Sequence, residues 1–254
     1  MFIPSLRLND KGIPILSKDD IEEIAFRMIN DYNPESMAKP QPFDIESFAE
    51  FYLKTEIEYK YLSSDGRFLG MYLYNNSEKV IIYDEKGQKA EYLPSKARTI
   101  FIDTSLLEEE NDHRLRYTFA HECGHAILHT GVFNSGNTRN YNYRMASEPI
   151  IQCRKTKVEG FKDYTKWSDT DRIEWQANYL ASAILLPKQT VLLLANEYPN
   201  ANLDPIPLIY DMVKTFNVSV AASLYRLKSL GIAKNSSYSY VVDGVKEFEN
   251  LINM

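Results

Sequence analysis

Residues 121–125 read His-Glu-Cys-Gly-His, an H-E-x-x-H pattern flanked by apolar residues at helical spacing. Residues four positions apart lie on one face of a helix, so His121 and His125 can present their imidazoles to a single metal ion. Glu122 flanks the same face, which places a carboxylate where it can take a proton from a water molecule activated by the metal. The stretch therefore predicts a helix that carries two metal ligands and a general base.

The same helix concentrates the imidazoles of the protein. The chain has four histidines, and His129 lies one further turn beyond His125. Three ligands at successive four-residue steps would span a rise of roughly 12 Å. One ion cannot reach all three, since metal–nitrogen bonds are about 2 Å long. We therefore expect His129 to be a helix-end or pocket-wall residue rather than a ligand.

A third ligand is predicted on a later helix, which starts near the polar residues 168–171 and ends before Pro187. Glu174 lies in this otherwise apolar, alanine-rich helix, and Asn178 lies one turn later on the same face. A carboxylate in such a helix is costly unless it is paired or bound to a metal. Because catalytic zinc usually has three protein ligands and one open position, Glu174 is the leading candidate for the third.

The two cysteines are interpreted differently. Cys123 points about 200° around the helix from His121, so we expect a small core residue. Cys153 is by default an inert thiol, and the alternative is a redox-sensitive ligand that blocks the metal. Residues 134–144 are rich in Asn and typical of a loop. That loop is interpreted either as a cover for the substrate or as an insertion without a role.

Composition limits the classes of protein. The 254 residues are 44% hydrophobic and 25% charged, with a formal net charge of −6. No run approaches the roughly 18 apolar residues of a membrane span, and no secretory signal is apparent. Two cysteines cannot build a disulfide framework. We therefore expect a cytoplasmic protein without a membrane partner, and the negative charge argues against an extended nucleic-acid surface.

The periodicity along the chain predicts an α+β fold. Helical spacing of apolar residues occurs over 21–29 and again over 45–52, and strand-like patterns fill residues 56–103. Two of these strands, Phe68–Tyr74 and Val80–Tyr83, flank residues 75–77 and are predicted to form a hairpin. The simplest arrangement is one small sheet packed against the helix of residues 121–125.

The C-terminal part predicts two helices joined by a turn at residues 217–219, with Ser219 as the N-cap of the second. Two helices joined in this way resemble a helix-turn-helix. The second helix has only Arg226 and Lys228 as basic groups, which is few for anchoring phosphates. A helical hairpin packed on the preceding domain is therefore favoured over a DNA-binding module, which remains the alternative.

Two segments together resemble the ImmA/IrrE metallopeptidases. Residues 116–129 read RYTFAHECGHAILH, and residues 174–187 read EWQANYLASAILLP. The family pairs an R-F-T-x-A-H-E-x-G-H-x-x-L-H helix with an E-x-x-A-N-x-F-A-x-x-L-L-M-P helix. Among the departures are Tyr117 in place of Phe, Cys123 in place of an aliphatic residue, and the lack of Met before Pro187. None of them falls on a metal ligand.

This resemblance implies a zincin-like metallopeptidase core over residues 1–200, with helices at its N-terminal end, and a helix-turn-helix-like segment over 201–254. It implies that His121, His125 and Glu174 hold Zn²⁺, with Mn²⁺ as another divalent candidate, and that Glu122 activates the water. The expected activity is zinc-dependent endoproteolysis. The best-known members of the family cleave helix-turn-helix repressors of mobile elements or stress responses, so the expected partner is such a repressor. The alternatives are a DNA-binding regulator with a structural metal and a scaffold that binds a repressor without cutting it.

Overall fold

The computed structural model describes residues 1–108, 111–134, 150–154 and 167–252. Side chains are described within these ranges except at 133–134 and 150–154. The loop predicted over 134–144 therefore lies outside the described residues, apart from the backbone of residue 134. The side chain of Cys153 lies outside them as well, so both interpretations of each remain predictions.

Helices and strands are largely segregated along the chain, as expected of an α+β protein: the first five strands follow one another directly, and the last five helices come after the last described strand. Two 3₁₀ helices, Pro34–Met37 and Thr104–Leu107, and one π-helical turn, Phe48–Tyr52, supplement them. The strands are β1 (Glu56–Lys60), β2 (Phe68–Leu73), β3 (Ser77–Asp84), β4 (Lys89–Ser95), β5 (Thr99–Asp103) and β6 (Ile150–Arg154). The helices are α1 (Lys18–Tyr32), α2 (Ile45–Ser47), α3 (Asp112–Leu128), α4 (Thr130–Asn134), α5 (Asp169–Leu185), α6 (Lys188–Ala195), α7 (Ile206–Phe216), α8 (Val220–Ser229) and α9 (Tyr238–Ile252).

The strands form two sheets among the described residues, so the prediction of a single sheet was wrong. Four strands lie in the order β1-β5-β2-β6, with β1 parallel to β5 and β2 antiparallel to both of its neighbours. The predicted hairpin between β2 and β3 was also wrong. Because β5 and β6 occupy both edges of β2, β3 pairs instead with β4 in a separate antiparallel ribbon.

The chain divides into two compact units. The first contains residues 1, 3–21 and 45–181, and the second contains residues 2, 22–44 and 182–254. In the first unit every residue of β5 is buried, and α3 packs against β2 and β5. Phe119 and Ala120 of α3 are fully buried. This burial fixes which face of α3 is directed away from solvent, and the metal-binding pattern lies on the same helix.

In the second unit α7, α8 and α9 pack against one another. Asn217 ends α7 in the left-handed conformation, with φ of 53°. Ser219 is the N-cap of α8, as predicted, and its side chain accepts a hydrogen bond from the backbone N–H of Ala222 at 3.1 Å. The turn between these two helices is therefore fixed by the two residue types that favour such positions.

No single helix among the described residues is both long and apolar enough to cross a membrane. Helices α5 and α6, taken together as a bent pair, reach the required length and composition, and that is a statement about length and composition only.

Candidate metal centre

Three side chains of the first unit converge at one point between α3 and α5. The Nε2 atoms of His121 and His125 lie 3.0 Å apart. The carboxylate of Glu174 lies 3.3 Å from the Nε2 atom of His121 and 3.5 Å from that of His125. Both imidazoles are buried, whereas about a third of the Glu174 side chain is exposed. Among the described residues these three are the group placed to bind a metal ion.

The spacing of these atoms suits a tetrahedral ion. Bonds of about 2.0–2.2 Å from zinc to nitrogen and oxygen give distances between ligand atoms of about 3.3–3.6 Å in a tetrahedron. The distances of 3.3 and 3.5 Å from Glu174 fall in this range, and the 3.0 Å between the two Nε2 atoms is slightly shorter. Two imidazoles and one carboxylate are also a donor set found in catalytic zinc sites. The residues therefore fit the metal that the sequence predicted.

A close approach of two helices brings the third side chain to the other two. A Cβ atom added at Gly124 would lie 2.9 Å from the carbonyl oxygen and 3.0 Å from the Cα atom of Ala177. Only a residue without a side chain fits there, because real Cβ atoms do not make contacts this short with backbone. Gly124 thus lets α3 and α5 touch at one turn, and Glu174 lies on α5 one turn before that contact.

The orientation of His121 is set by a second residue of α5. The Nδ1 atom of His121 lies 3.0 Å from the Oδ1 atom of Asn178, and the hydroxyl of Tyr117 donates to the same oxygen at 2.9 Å. An amide oxygen only accepts, so the Nδ1 atom of His121 carries the proton and its Nε2 atom keeps a lone pair for the metal. The sequence placed Asn178 on the face of Glu174 but gave it no role.

Glu122 is fully buried beside this group, and neither of its carboxylate oxygens has a hydrogen-bond partner among the described residues. Burial raises the pKa of Glu122 to about 8; the charge of His121 and the nearby backbone N–H of Tyr72 oppose the rise, and the charge of Glu174 adds to it. A buried carboxyl group with such a pKa can hold or release a proton near neutral pH.

Space for Glu122 is provided by strand β2. A Cβ atom added at Gly70 would lie 2.8 Å from the Oε1 atom of Glu122 and 2.5 Å from the Cγ2 atom of Thr118. Gly70 therefore allows the carboxylate to lie against the sheet. Sequence reasoning missed this residue, because a glycine inside a strand does not reveal which side chain it faces.

The two histidines differ in their electrostatics. Burial disfavours the charged form of His121, but the hydrogen bond and the charge of Glu174 outweigh it and raise its pKa. For His125, burial and the charges of the neighbouring histidines hold the pKa well below its usual range. A neutral imidazole is the form that binds a metal, and His125 is therefore ready to bind at neutral pH.

The structure also shows the surroundings of His129 and Cys123, the two neighbouring residues that we did not expect to bind the metal. His129 is fully buried, and its two ring nitrogens face His125 and Gln176 at 3.1 and 3.0 Å, so it contacts a ligand without belonging to the group of three. Cys123 is a buried core residue, as predicted, and burial raises the pKa of its thiol. Gln176, on α5 between Glu174 and Asn178, was not predicted to take part.

Comparison with known proteins agrees with this geometry. The family model of the IrrE N-terminal-like domain, peptidase M78, matches residues 78–228, which is more than half of the chain. A search of curated proteins found no match. The matched region contains α3 and α5 with all three converging side chains. The α+β fold, the metal-binding group and the family match agree, and the chain belongs to the IrrE N-terminal-like family of metallopeptidases.

Proposed function

We propose that the protein is a zinc-dependent endopeptidase in which Glu122 activates the attacking water. One observation carries the proposal. His121, His125 and Glu174 converge within bonding range of a single ion, and the carboxylate next to them on α3 is buried with no side-chain hydrogen-bond partner among the described residues. Burying a charged group without a partner is costly, and such groups are retained where chemistry needs them.

The catalytic roles divide among the residues of the first unit. His121, His125 and Glu174 would hold the ion, and a zinc ion held there supplies a Lewis acid that polarises both water and a peptide carbonyl. Glu122 accepts a proton at a carboxylate oxygen from the attacking water, whose oxygen forms a bond to the carbonyl carbon. It then gives the proton to the amide nitrogen as the carbon–nitrogen bond breaks.

Zinc is proposed as the metal because two imidazoles and one carboxylate leave a fourth position open. Such a site also accepts other divalent ions, and Mn²⁺ is the alternative. Metal analysis of purified protein tests the assignment. We expect about one zinc per chain, lost on replacing any of the three ligands. A chain that carries no stoichiometric divalent metal would contradict it.

For the substrate, we propose a helix-turn-helix transcriptional repressor cut at a specific site. The support is the family to which the chain belongs, whose members are peptidases and therefore act on proteins. The test uses the product of any neighbouring gene that encodes a small helix-turn-helix protein. We expect a single cut in the folded repressor, located by mass spectrometry. The cytoplasmic location inferred from composition stays a prediction.

A DNA-binding regulator with a structural metal is the competing function, and one observation counts against it. Arg226, one of the two basic residues that α8 offers for contact with phosphates, is fully buried. Its guanidinium donates to both carboxylate oxygens of Glu22, at 2.5 and 2.9 Å. A guanidinium bound in this way is not available to phosphate. Duplex binding that weakens steeply with salt would favour this competitor instead.

The decisive experiment replaces Glu122 with Gln. Because the general base is lost and the three ligands stay, we expect cleavage to fall by about 10²–10⁴-fold while zinc remains bound. Cleavage is measured on the repressor and on a pooled peptide library. Glu197→Gln, at an exposed position of the second unit, is the control for loss of one negative charge and should cleave normally. Undiminished cleavage by Glu122→Gln would rule out the mechanism and favour a different base.

A further inference from the structure

Two buried polar side chains next to the metal centre have no part in the proposed reaction. His129 is 0% exposed and Gln176 is 1% exposed. Together with His125 they form a continuous line of hydrogen bonds. The Nδ1 atoms of His125 and His129 lie 3.1 Å apart, and the Nε2 atom of His129 lies 3.0 Å from the Oε1 atom of Gln176. The line ends where the Nε2 atom of Gln176 donates to the main-chain carbonyl of Pro14 at 2.7 Å.

The carbonyl at the end of this line determines the direction of every bond in it. A carbonyl oxygen only accepts, so the amide NH₂ of Gln176 must point toward Pro14, and its Oε1 atom must point toward His129. That oxygen accepts in turn, so the Nε2 atom of His129 carries a proton. A neutral imidazole has one N–H, which leaves a lone pair on the Nδ1 atom of His129.

The direction of these hydrogen bonds also determines which nitrogen of the metal ligand His125 is protonated. Because the Nδ1 atom of His129 accepts, the Nδ1 atom of His125 donates, and the Nε2 atom of His125 is left with its lone pair. That Nε2 atom is the one that lies 3.0 Å from the Nε2 atom of His121 and 3.5 Å from Glu174. The tautomer that binds a metal is therefore selected by a carbonyl three hydrogen bonds away.

The carbonyl belongs to a built turn near the N-terminus of the chain. Asn9 accepts hydrogen bonds at its Oδ1 atom from the N–H groups of Lys11 and Ile13, both at 2.9 Å. Gly12 has a positive φ of 79°, and Ile13 and Pro14 are buried. The ammonium group of Lys11 pairs with Asp169 of α5 at 2.6 Å. The turn lies outside residues 78–228, the part of the chain that the family model matches.

We infer that His129, Gln176 and the turn of residues 9–14 are positioning elements that hold His125 in its metal-binding tautomer. The inference rests on the proposed function as a metal-dependent peptidase, and adds to it the control of the tautomer of one ligand. It gives the N-terminal turn a share in the metal affinity, although the turn lies outside the matched domain. It also gives His129 a role that leaves no ring nitrogen for the metal, in agreement with its exclusion as a ligand.

The test replaces Gln176 with Met, which has a similar length and no acceptor for the His129 proton. His129 can then adopt its other tautomer and donate to His125, which puts a proton on the nitrogen that should bind the metal. In metal-free protein, long-range ¹H–¹⁵N NMR of the imidazoles should show His125 protonated at Nδ1 in the parent and a mixture of tautomers in the variant. Zinc affinity, measured by competition with a chelator, should fall by about 10–100-fold.

A second variant and a control separate positioning from simple destabilisation. Asn9→Ala loosens the turn far from the metal and should lower zinc affinity in the same direction by a smaller factor. Leu180→Ala shortens a buried side chain of α5 one turn after Gln176. It should lower the melting temperature while leaving the His125 tautomer and the zinc affinity unchanged.

The outcomes are distinguishable. An unchanged His125 tautomer in Gln176→Met, or an equal loss of zinc affinity in Leu180→Ala, overturns the inference. A parent protein that binds no zinc overturns the proposed function instead. Because the tautomer is measured without metal, it decides the positioning role in either case.

Discussion

A carboxylate is buried in the first unit and a guanidinium in the second, and their surroundings are opposite. Arg226 is fully buried, and its guanidinium donates to the carbonyl of Leu186 at 2.8 Å and to both oxygens of Glu22. Glu122 is equally buried, and among the described residues neither of its oxygens has a partner. Arg226 is thus bound to an opposite charge, whereas no side chain among the described residues hydrogen-bonds to the carboxylate of Glu122.

The difference separates a structural residue from a functional one without use of a motif. A buried ion pair with all its hydrogen bonds formed is tolerated because each charge compensates the other. An unpaired buried carboxylate costs several kcal/mol when ionised, and it shifts its pKa instead. The cost at Glu122 is therefore a measure of what the first unit gives up in stability for its chemistry.

The largest effect is expected from Glu122→Gln in metal-free protein. The pKa of Glu122 is about 8 in the folded chain, against an ordinary value of 4.5. Between these values the folded state binds one more proton than the unfolded state, so the parent loses stability as pH rises. Because Gln does not titrate, the variant should gain on the parent by up to about 5 kcal/mol between pH 4 and pH 9.

Chemical denaturation of chelator-treated protein at pH 4, 6 and 9 measures this difference. Glu197→Gln, which removes an exposed charge, provides the baseline. If the difference in unfolding free energy between Glu122→Gln and its parent stays constant across the three pH values, the buried carboxylate titrates like an ordinary one. That result would contradict the contrast drawn with Arg226.

The next effect is expected from Arg226→Met. The variant leaves the Glu22 carboxylate, whose side chain is 13% exposed, without its partner. Breaking a buried pair in this way costs about 3–5 kcal/mol. The double variant with Glu22→Met removes both charges and should recover most of the loss. Equilibrium unfolding of the two variants decides the matter, and a single variant within about 1 kcal/mol of the parent would contradict the structural role.

A smaller effect is expected from Gly70→Ala, which tests how tightly Glu122 is held. The added methyl group would overlap Thr118 and Glu122, so we expect a loss of about 1–3 kcal/mol in unfolding free energy and a lower kcat. Gly131→Ala is the matched control, because the nearest atom to its added Cβ is 3.9 Å away. Equal stability and kcat for both variants would mean that Glu122 moves freely.

The chemistry of the site could be predicted because it depends on local spacing. His121 and His125 lie four residues apart on one helix, and helical geometry alone brings them together. The start of α1 depends on local spacing in the same way, since Ser17 and Asp20 bond reciprocally at 2.7 and 3.2 Å, as in a capping box. Glu174 could be predicted as the third ligand because a carboxylate in an apolar helix is costly unless it is paired or bound to a metal.

What failed depends on contacts between distant segments. The strand pairing was wrong because β6, which follows β2 by more than seventy residues, occupies the edge that a local hairpin would need. Strand β4 was not distinguished as a separate strand within residues 56–103, because Pro94 and exposed charged residues weaken its pattern, as is usual in an edge strand. The link from His129 through Gln176 to Pro14 was invisible for a similar reason, since it joins residues 162 positions apart.

The smallest effect is expected from Ser219→Ala. It measures how much stability is lost when α8, the helix that carries Arg226, frays at its N-terminus. The Ser219 side chain caps this helix through the N–H of Ala222. Losing an N-cap costs about 1 kcal/mol, whereas Ser219→Asp keeps the acceptor and should preserve stability. Unfolding measured on both variants gives the cost of fraying α8 alone. We expect this cost to be well below the loss of unfolding free energy in Arg226→Met, and the difference between the two losses is then due to the buried ion pair. If the two losses are equal, the effect of Arg226→Met comes from fraying of the helix instead.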